Sequence, residues 1–166
     1  MRWFALLRSL FFGVLFMSLW TYFVPRWLGL EVHEEGVLAQ PARLLGLVPL
    51  AAGFAGMLWC LFDFSWFGHG TPAPFDAPRK FVSRGPYRYV RNPMYLAAWL
   101  FLWGEAILLA RWRWSVVAYL FALVGIVHAF VLLYEEPVLR AKFGEEYKQY
   151  CARVNRWLPR PPRMEA

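Results

Sequence analysis

Acid, cysteine and histidine are scarce in this 166-residue chain, which has eleven Asp and Glu, two Cys and three His. Cys60 and Cys151 stand far apart and in no metal-ligand spacing, so they read as two unpaired thiols. His33 lies among Glu31, Glu34 and Glu35, but nothing else supplies ligands, and the stretch reads as a solvated acidic loop. There is no Gly-x-Ser-x-Gly, no zinc pattern and no phosphate loop, and so no signature of those three chemistries. Internal repeats and low-complexity segments are missing too.

What is abundant is apolar. The chain is 60% hydrophobic and 20% aromatic, with only 17% charged residues. That composition is too apolar for an ordinary soluble domain and points to a membrane protein, with room for one domain over 1–166. The net charge of +7 raises nucleic acid as a partner. The basic residues, however, flank apolar segments rather than forming one solvated face. Such residues set topology and meet anionic membrane lipid.

Four apolar segments predict four membrane-spanning helices, since about 20 residues cross a bilayer. They are 4–24, 44–62, 94–110 and 114–134. The first holds Arg8 near its end, where it can snorkel. No small-residue cleavage site follows it, and Trp20, Tyr22 and Trp27 read as interfacial anchors. In the second, Gly46, Gly53 and Gly56 with Ala52 and Ala55 suit close helix packing. Arg111-Trp112-Arg113 predicts a tight hairpin between the last two. Glu105, about one turn from Arg111, predicts an interfacial ion pair. After Pro137, Leu139, Phe143, Tyr147, Tyr150, Val154 and Leu158 recur every three or four residues. That period predicts an amphipathic helix over 137–158, lying on the membrane surface or capping a site, which Gly144 can interrupt. The expected architecture is an all-α polytopic membrane bundle of four spans plus this amphipathic helix.

The stretch Gly85 to Tyr95 organises the rest. It reads Gly-Pro-Tyr-Arg-Tyr-Val-Arg-Asn-Pro-Met-Tyr, at the end of a proline-rich loop over 63–92 whose second half is basic: Arg79, Lys80, Arg84, Arg88 and Arg91. Pro93 holds Asn92 extended and opens a helix whose first N–H groups lack partners. Tyrosines there offer stacking faces and hydroxyls. The stretch suits an aromatic, partly anionic ligand at a membrane edge. Leu132-Leu133-Tyr134-Glu135-Glu136-Pro137 answers it with paired carboxylates for a cationic group. His128 precedes Glu135 by two turns, hence on the same face of an ideal helix. It either lines a substrate tunnel or hydrogen-bonds between helices.

Arg91-Asn92-Pro93-Met94-Tyr95, then Glu135-Glu136, then Phe143-Gly144-Glu145-Glu146-Tyr147 resembles the integral-membrane methyltransferases over roughly residues 79 to 159. That superfamily includes the isoprenylcysteine carboxyl methyltransferases and the phospholipid N-methyltransferases. The resemblance implies S-adenosylmethionine as donor and a lipid-like acceptor. It implies a donor site drawn from Lys80, Phe81, Val82, Tyr87, Arg91, Asn92, Pro93, Tyr95, Glu135 and Glu136. His128 and Val131 become candidates to line the acceptor. Methyl transfer from a sulfonium is an in-line displacement that positioning and desolvation can accelerate, so neither a metal nor a nucleophilic side chain is required. The strand and Gly-rich loop of the soluble methyltransferases do not occur.

Two signatures mix here. Asn92 stands where the carboxyl methyltransferases usually have His, and Asn-Pro-Met-Tyr with Leu-Tyr-Glu-Glu-Pro resembles the phospholipid enzymes. The tail from Phe143 to Pro159 resembles the carboxyl methyltransferases instead. Val131 matches the position of an Arg implicated in acceptor binding in the eukaryotic isoprenylcysteine enzymes. Valine offers a carboxylate no partner, and this favours a lipid amine over a prenylated carboxylate. A nicotinamide-dependent membrane reductase and a non-enzymatic membrane scaffold are the rival readings. The acidic first loop against the basic 79–91 stretch and tail predicts both termini and the site on the cytoplasmic side.

Overall fold

In the computed structural model, residues 2–30, 41–68, 80–109 and 114–161 are described. They are almost wholly helical. The acidic loop around His33, Arg79 and the Arg111–Arg113 hairpin fall outside them. Six α-helices follow in order: α1 Arg2–Ser18, α2 Val24–Trp27, α3 Leu47–Asp63, α4 Pro93–Leu108, α5 Trp114–Phe130 and α6 Glu136–Arg153. Three wider π-turns, Leu19–Phe23, Phe64–Gly68 and Val131–Glu135, extend them without a break.

Three continuous helices are long and apolar enough to cross a membrane: Leu6–Trp27, Pro41–Gly68 and Trp114–Arg153. The segment expected as a fourth span, α4, is a shorter apolar helix of 16 residues. It is about 24 Å long at 1.5 Å per residue, against an apolar bilayer thickness of about 30 Å.

Helix boundaries depart from the sequence pattern where proline and the π-turns act. The 63–92 connection begins later than expected, because helix continues through Phe64–Gly68. Pro137 does not separate the last span from the tail. It lacks an N–H for the carbonyl four residues back, and its ring presses on that carbonyl. The wider turn Val131–Glu135, closed by the Glu136 N–H bonding Val131 O, comes just before it and carries the helix on. Pro25 follows Leu19–Phe23 in the same way. The amphipathic period holds to Arg153, with left-handed Gly144 (φ 50°) as the expected interruption. Beyond it the chain turns extended at Val154, and Leu158 is exposed rather than packed.

α3 and α4 run antiparallel with backbones in near contact. A methyl group at Gly53 would meet Ala97 O and Phe101 N at 2.5 Å, one at Gly56 would meet Ala97 Cβ at 3.0 Å, and one at Gly104 would collide with Leu50 N. Gly46 lies against Ile107 and Leu108 at the other end of the seam. Small residues permit such an approach where no hydrophobic force drives helices together. Ala52 and Ala55 are exposed and take no part in it. α1 joins through buried Ser65 Oγ, which donates to Ser9 Oγ at 2.9 Å, and through Trp3 edge-on to Trp66. Far from this contact, Tyr119 Oη donates to Trp20 O at 2.6 Å. The N-terminal end of α1, the C-terminal end of α3, the start of α4 and the foot of α5 therefore share one end of the bundle.

Gly53→Ala should lower the melting temperature in detergent, because backbone cannot yield as a side chain can. Overpacking of this kind costs about 1–3 kcal/mol. Gly125→Ala has open space around it and should leave melting unchanged or slightly raised. Equal melting of both variants and the parent would show that the seam is not close-packed.

Candidate functional site

The site residues converge at that shared end, but not as one pocket wall. Gly85 takes φ +53°, and a side chain there would collide with the Asp63 carboxylate. This glycine lets the turn Gly85–Arg88 lie directly on α3. Lys80, Phe81 and Val82 part company in this irregular segment. Lys80 is exposed, Val82 packs with Cys60 and Tyr87, and Phe81 meets Phe143, Tyr147 and Tyr150 at 4.9–5.8 Å. Tyr150 Oη donates to Tyr87 O at 2.7 Å, which locks α6 to the turn. Burial above all, then Cys60, Glu135 and Tyr150 nearby, push the Tyr87 phenol well above its ordinary value, so it stays neutral.

The two adjacent glutamates do different jobs. Glu136 is buried and gathers three guanidiniums. Arg156 Nε donates to its Oε1 at 2.6 Å and Arg156 Nη2 to its Oε2 at 3.1 Å. Arg91 Nη1 lies 3.1 Å from Oε1, and exposed Arg140 reaches Oε2 at 3.5 Å. Arg91 Nη1 also reaches Cys151 Sγ at 2.9 Å, while its Nε is buried with no hydrogen-bond partner. Among the described residues Glu135 has one hydrogen-bond partner, Tyr95 Oη, which donates to Oε2 at 2.9 Å. Its Oε1 accepts no hydrogen bond from the described residues.

The π-turn creates this division. It follows His128 and ends on Glu135 itself, so the same-face relation expected of His128 and Glu135 does not follow an ideal helix. It is Glu136, one residue further on, that shares a partner segment with His128. Arg156 takes Glu136, and the next residue, Trp157, donates Nε1–H to His128 Nδ1 at 2.9 Å. Glu135 turns instead to α4. Val131, expected as acceptor lining, is 1% exposed and part of the packed interior.

Pro93 is buried at the first turn of α4 as expected. Buried Asn92 donates its side-chain Nδ2–H to Arg156 O at 3.1 Å, a protein contact that sequence reasoning did not foresee. Arg91 N–H bonds Asn155 O at 2.9 Å, and Arg160 N–H bonds Tyr89 O at 2.8 Å. The chain after α6 thus runs across the turn before α4. Asn155, Arg156 and Trp157 were missed as site residues. The lone sequence signal was Arg-Trp ahead of a Pro-rich end, which periodicity absorbed into the amphipathic helix. A cavity of about 430 Å³ lies on the other side of the turn, among Trp59, Arg88, Tyr89 and Pro159, and none of the carboxylates lines it. No group of three His, Cys, Asp or Glu among the described residues is placed for a metal.

Residues 42–146 match the phospholipid methyltransferase model, and the chain belongs to that family of membrane methyltransferases. It is 26% identical over 156 residues to a probable protein-S-isoprenylcysteine O-methyltransferase of Oryza sativa subsp. indica, covering 94% of this chain and 72% of the relative. Over 83 residues it is 34% identical to methanethiol S-methyltransferase 1 of Bradyrhizobium diazoefficiens, covering 49% of this chain and 27% of the relative. No solved structure matches the chain.

Stability should separate the two glutamates. Glu136→Gln leaves its guanidiniums uncompensated in a largely buried place, at a cost on the order of 3 kcal/mol. Its melting temperature should fall well below that of Glu135→Gln, which should melt near the parent. The reverse order would show that Glu135 holds the fold.

Proposed function

We propose that the chain is an S-adenosylmethionine-dependent methyltransferase, a single membrane domain acting on a lipid or lipid-like acceptor. The observation that carries the donor reading is the pair of incomplete polar groups beside the filled Glu136 hub. A buried guanidinium N–H without a partner is costly. Arg91 Nε suits the carboxylate of an α-amino-acid group, and Glu135 Oε1, steadied by Tyr95, suits its ammonium. These residues fit the zwitterionic end of the donor, which supplies a sulfonium-bound methyl group. Phe81, Tyr147 and Tyr150 wall the same end with aromatic surface. What this chain supplies is binding, orientation and exclusion of water.

A lipid amine stays slightly ahead as acceptor. Val131 is sealed in the interior and is apolar, so it offers no partner to a carboxylate leaving water. His128 Nδ1 is already taken up by the Trp157 N–H. The rice relative's name supports the second reading, a prenylated-cysteine carboxylate. The bacterial relative's name adds a small thiol as a third acceptor class.

Glu135→Gln should weaken S-adenosylmethionine binding about ten- to hundredfold, the loss of one charge-assisted hydrogen bond. Unchanged calorimetric affinity would remove Glu135 from the donor site. With the purified protein, methyl transfer to phosphatidylethanolamine should exceed transfer to a farnesylated cysteine analogue or to a small thiol. Methyl ester on the cysteine analogue with no N-methylated lipid would move the acceptor and keep the enzyme class.

For topology we propose four crossings, with α4 as the short one and both termini and the site cytoplasmic. Cysteine labelling should find position 80 cytoplasmic and position 34 external. The opposite pattern would invert the orientation.

A further inference from the structure

We propose that Val154–Arg160 is a strap that completes the donor site, with Arg156 as its positioning residue. The inference rests on the donor reading above and names what holds that site in shape.

Arg91 and Asn92 are among the residues that the family resemblance puts at the donor. Both are held by Asn155 and Arg156. The Arg91 backbone N–H is tied to Asn155 O, and the Asn92 side chain to Arg156 O. Arg160 N–H on Tyr89 O fastens the strap's far end to the same turn. Trp157 fastens its middle to α5 through His128, and Tyr150 fastens the end of α6 through Tyr87 O. Five hydrogen bonds from one short non-helical segment and the helix end before it therefore reach the turn before α4 and the foot of α5.

Arg156 does more than fasten. Its Nε and Arg91 Nη1 share one oxygen of Glu136, at 2.6 and 3.1 Å. The nearer guanidinium also takes the second oxygen, at 3.1 Å, so Arg91 keeps only an end-on share of the carboxylate. Without Arg156, Oε1 is left to Arg91 and Oε2 keeps only the exposed Arg140 at 3.5 Å, so the carboxylate becomes open to a second contact from Arg91. Its planar fork would then favour the two-point contact that carboxylates and guanidiniums prefer. Arg91 Nε would turn toward Glu136 and away from a ligand carboxylate. Arg156 thus occupies Glu136 and leaves Arg91 Nε open for the carboxylate of the donor, beside the Glu135 carboxylate that meets its ammonium. Because strap and donor meet the same side chains, each should stabilise the other, and by linkage the effect is reciprocal.

The test uses the full chain in detergent, with donor affinity by calorimetry and amide hydrogen exchange as an activity-independent readout. Arg156→Gln should weaken S-adenosylmethionine about tenfold while the KM for the acceptor stays within twofold, and Arg156→Lys should recover only part of the loss. Adding S-adenosylmethionine to the parent should slow exchange at the Arg91 and Arg160 amides, and in Arg156→Gln this slowing should shrink. Trp157→Phe loses only the bond to His128 and serves where Arg156→Gln fails to fold. It should speed exchange at Arg160 and weaken the donor severalfold. Parent-like donor affinity in a folded Arg156→Gln, or no change of Arg160 exchange with donor, would overturn the strap while parent donor binding stands. Absence of donor binding in the parent would instead overturn the functional reading itself.

Discussion

A single buried carboxylate joins the parts of the described chain that meet at the site. Glu136 opens α6, and the guanidiniums that satisfy it come from the turn before α4, from one helical turn further along α6 and from the segment after α6. An isolated carboxylate in such a place would be expensive to bury. Three cations together with the Arg156 hydrogen bonds make the arrangement tolerable, and Arg91 and Arg156 thereby fix the turn before α4 against the start of α6 and the segment that follows α6. The aromatic packing of Phe81, Phe143, Tyr147 and Tyr150 then fills the space that the ionic contact has enclosed.

The seam between α3 and α4 supplies the complementary rigidity. Its glycines bring two backbones together over much of both helices, and the turn at Gly85 rests on the end of α3 through the same absence of a side chain. Tyr95 on α4 is therefore set against Glu135 on the neighbouring helix by backbone approach rather than by long flexible side chains. A contact at 2.9 Å between a phenol and a half-buried carboxylate is a product of that geometry.

Much of the fold was legible in the sequence because apolar length and helical period are local properties. The four apolar segments, the glycine face of α3, the proline entry to α4 and the packed stripe of α6 as far as Val154 all follow from them. The membrane methyltransferase class was legible from the order of Asn-Pro-Met-Tyr, Glu-Glu and Phe-Gly-Glu-Glu-Tyr. What escaped depends on contacts between distant segments. No periodicity distinguishes Glu135 from Glu136, since their difference arises from where Arg91 and Arg156 come to lie. Helical counting carried the amphipathic stripe to Leu158, although hydrogen bonds to the turn before α4 hold the chain out of the helix after Arg153. Same-face counting from His128 missed the π-turn, because an extra residue in one turn leaves no mark on composition.

That extra residue has a consequence for how members of such a family can exchange parts. Val131–Glu135 acts as a phase shifter: everything after it is rotated by about 100° relative to an uninterrupted helix, the angle of one residue at 3.6 per turn. Straightening this turn into an α-helix at the same residue count would bring the carboxylate that now faces α4 round to the Arg156 side, whereas deleting one residue would remove the turn and leave Glu136 facing as it does. A chimera that grafts the upper half of α5 from a relative would keep its carboxylates correctly assigned only if the residue count and the turn type between His128 and Pro137 stayed matched to each other. Length in this segment is thus as much a determinant of the site as the identity of its side chains.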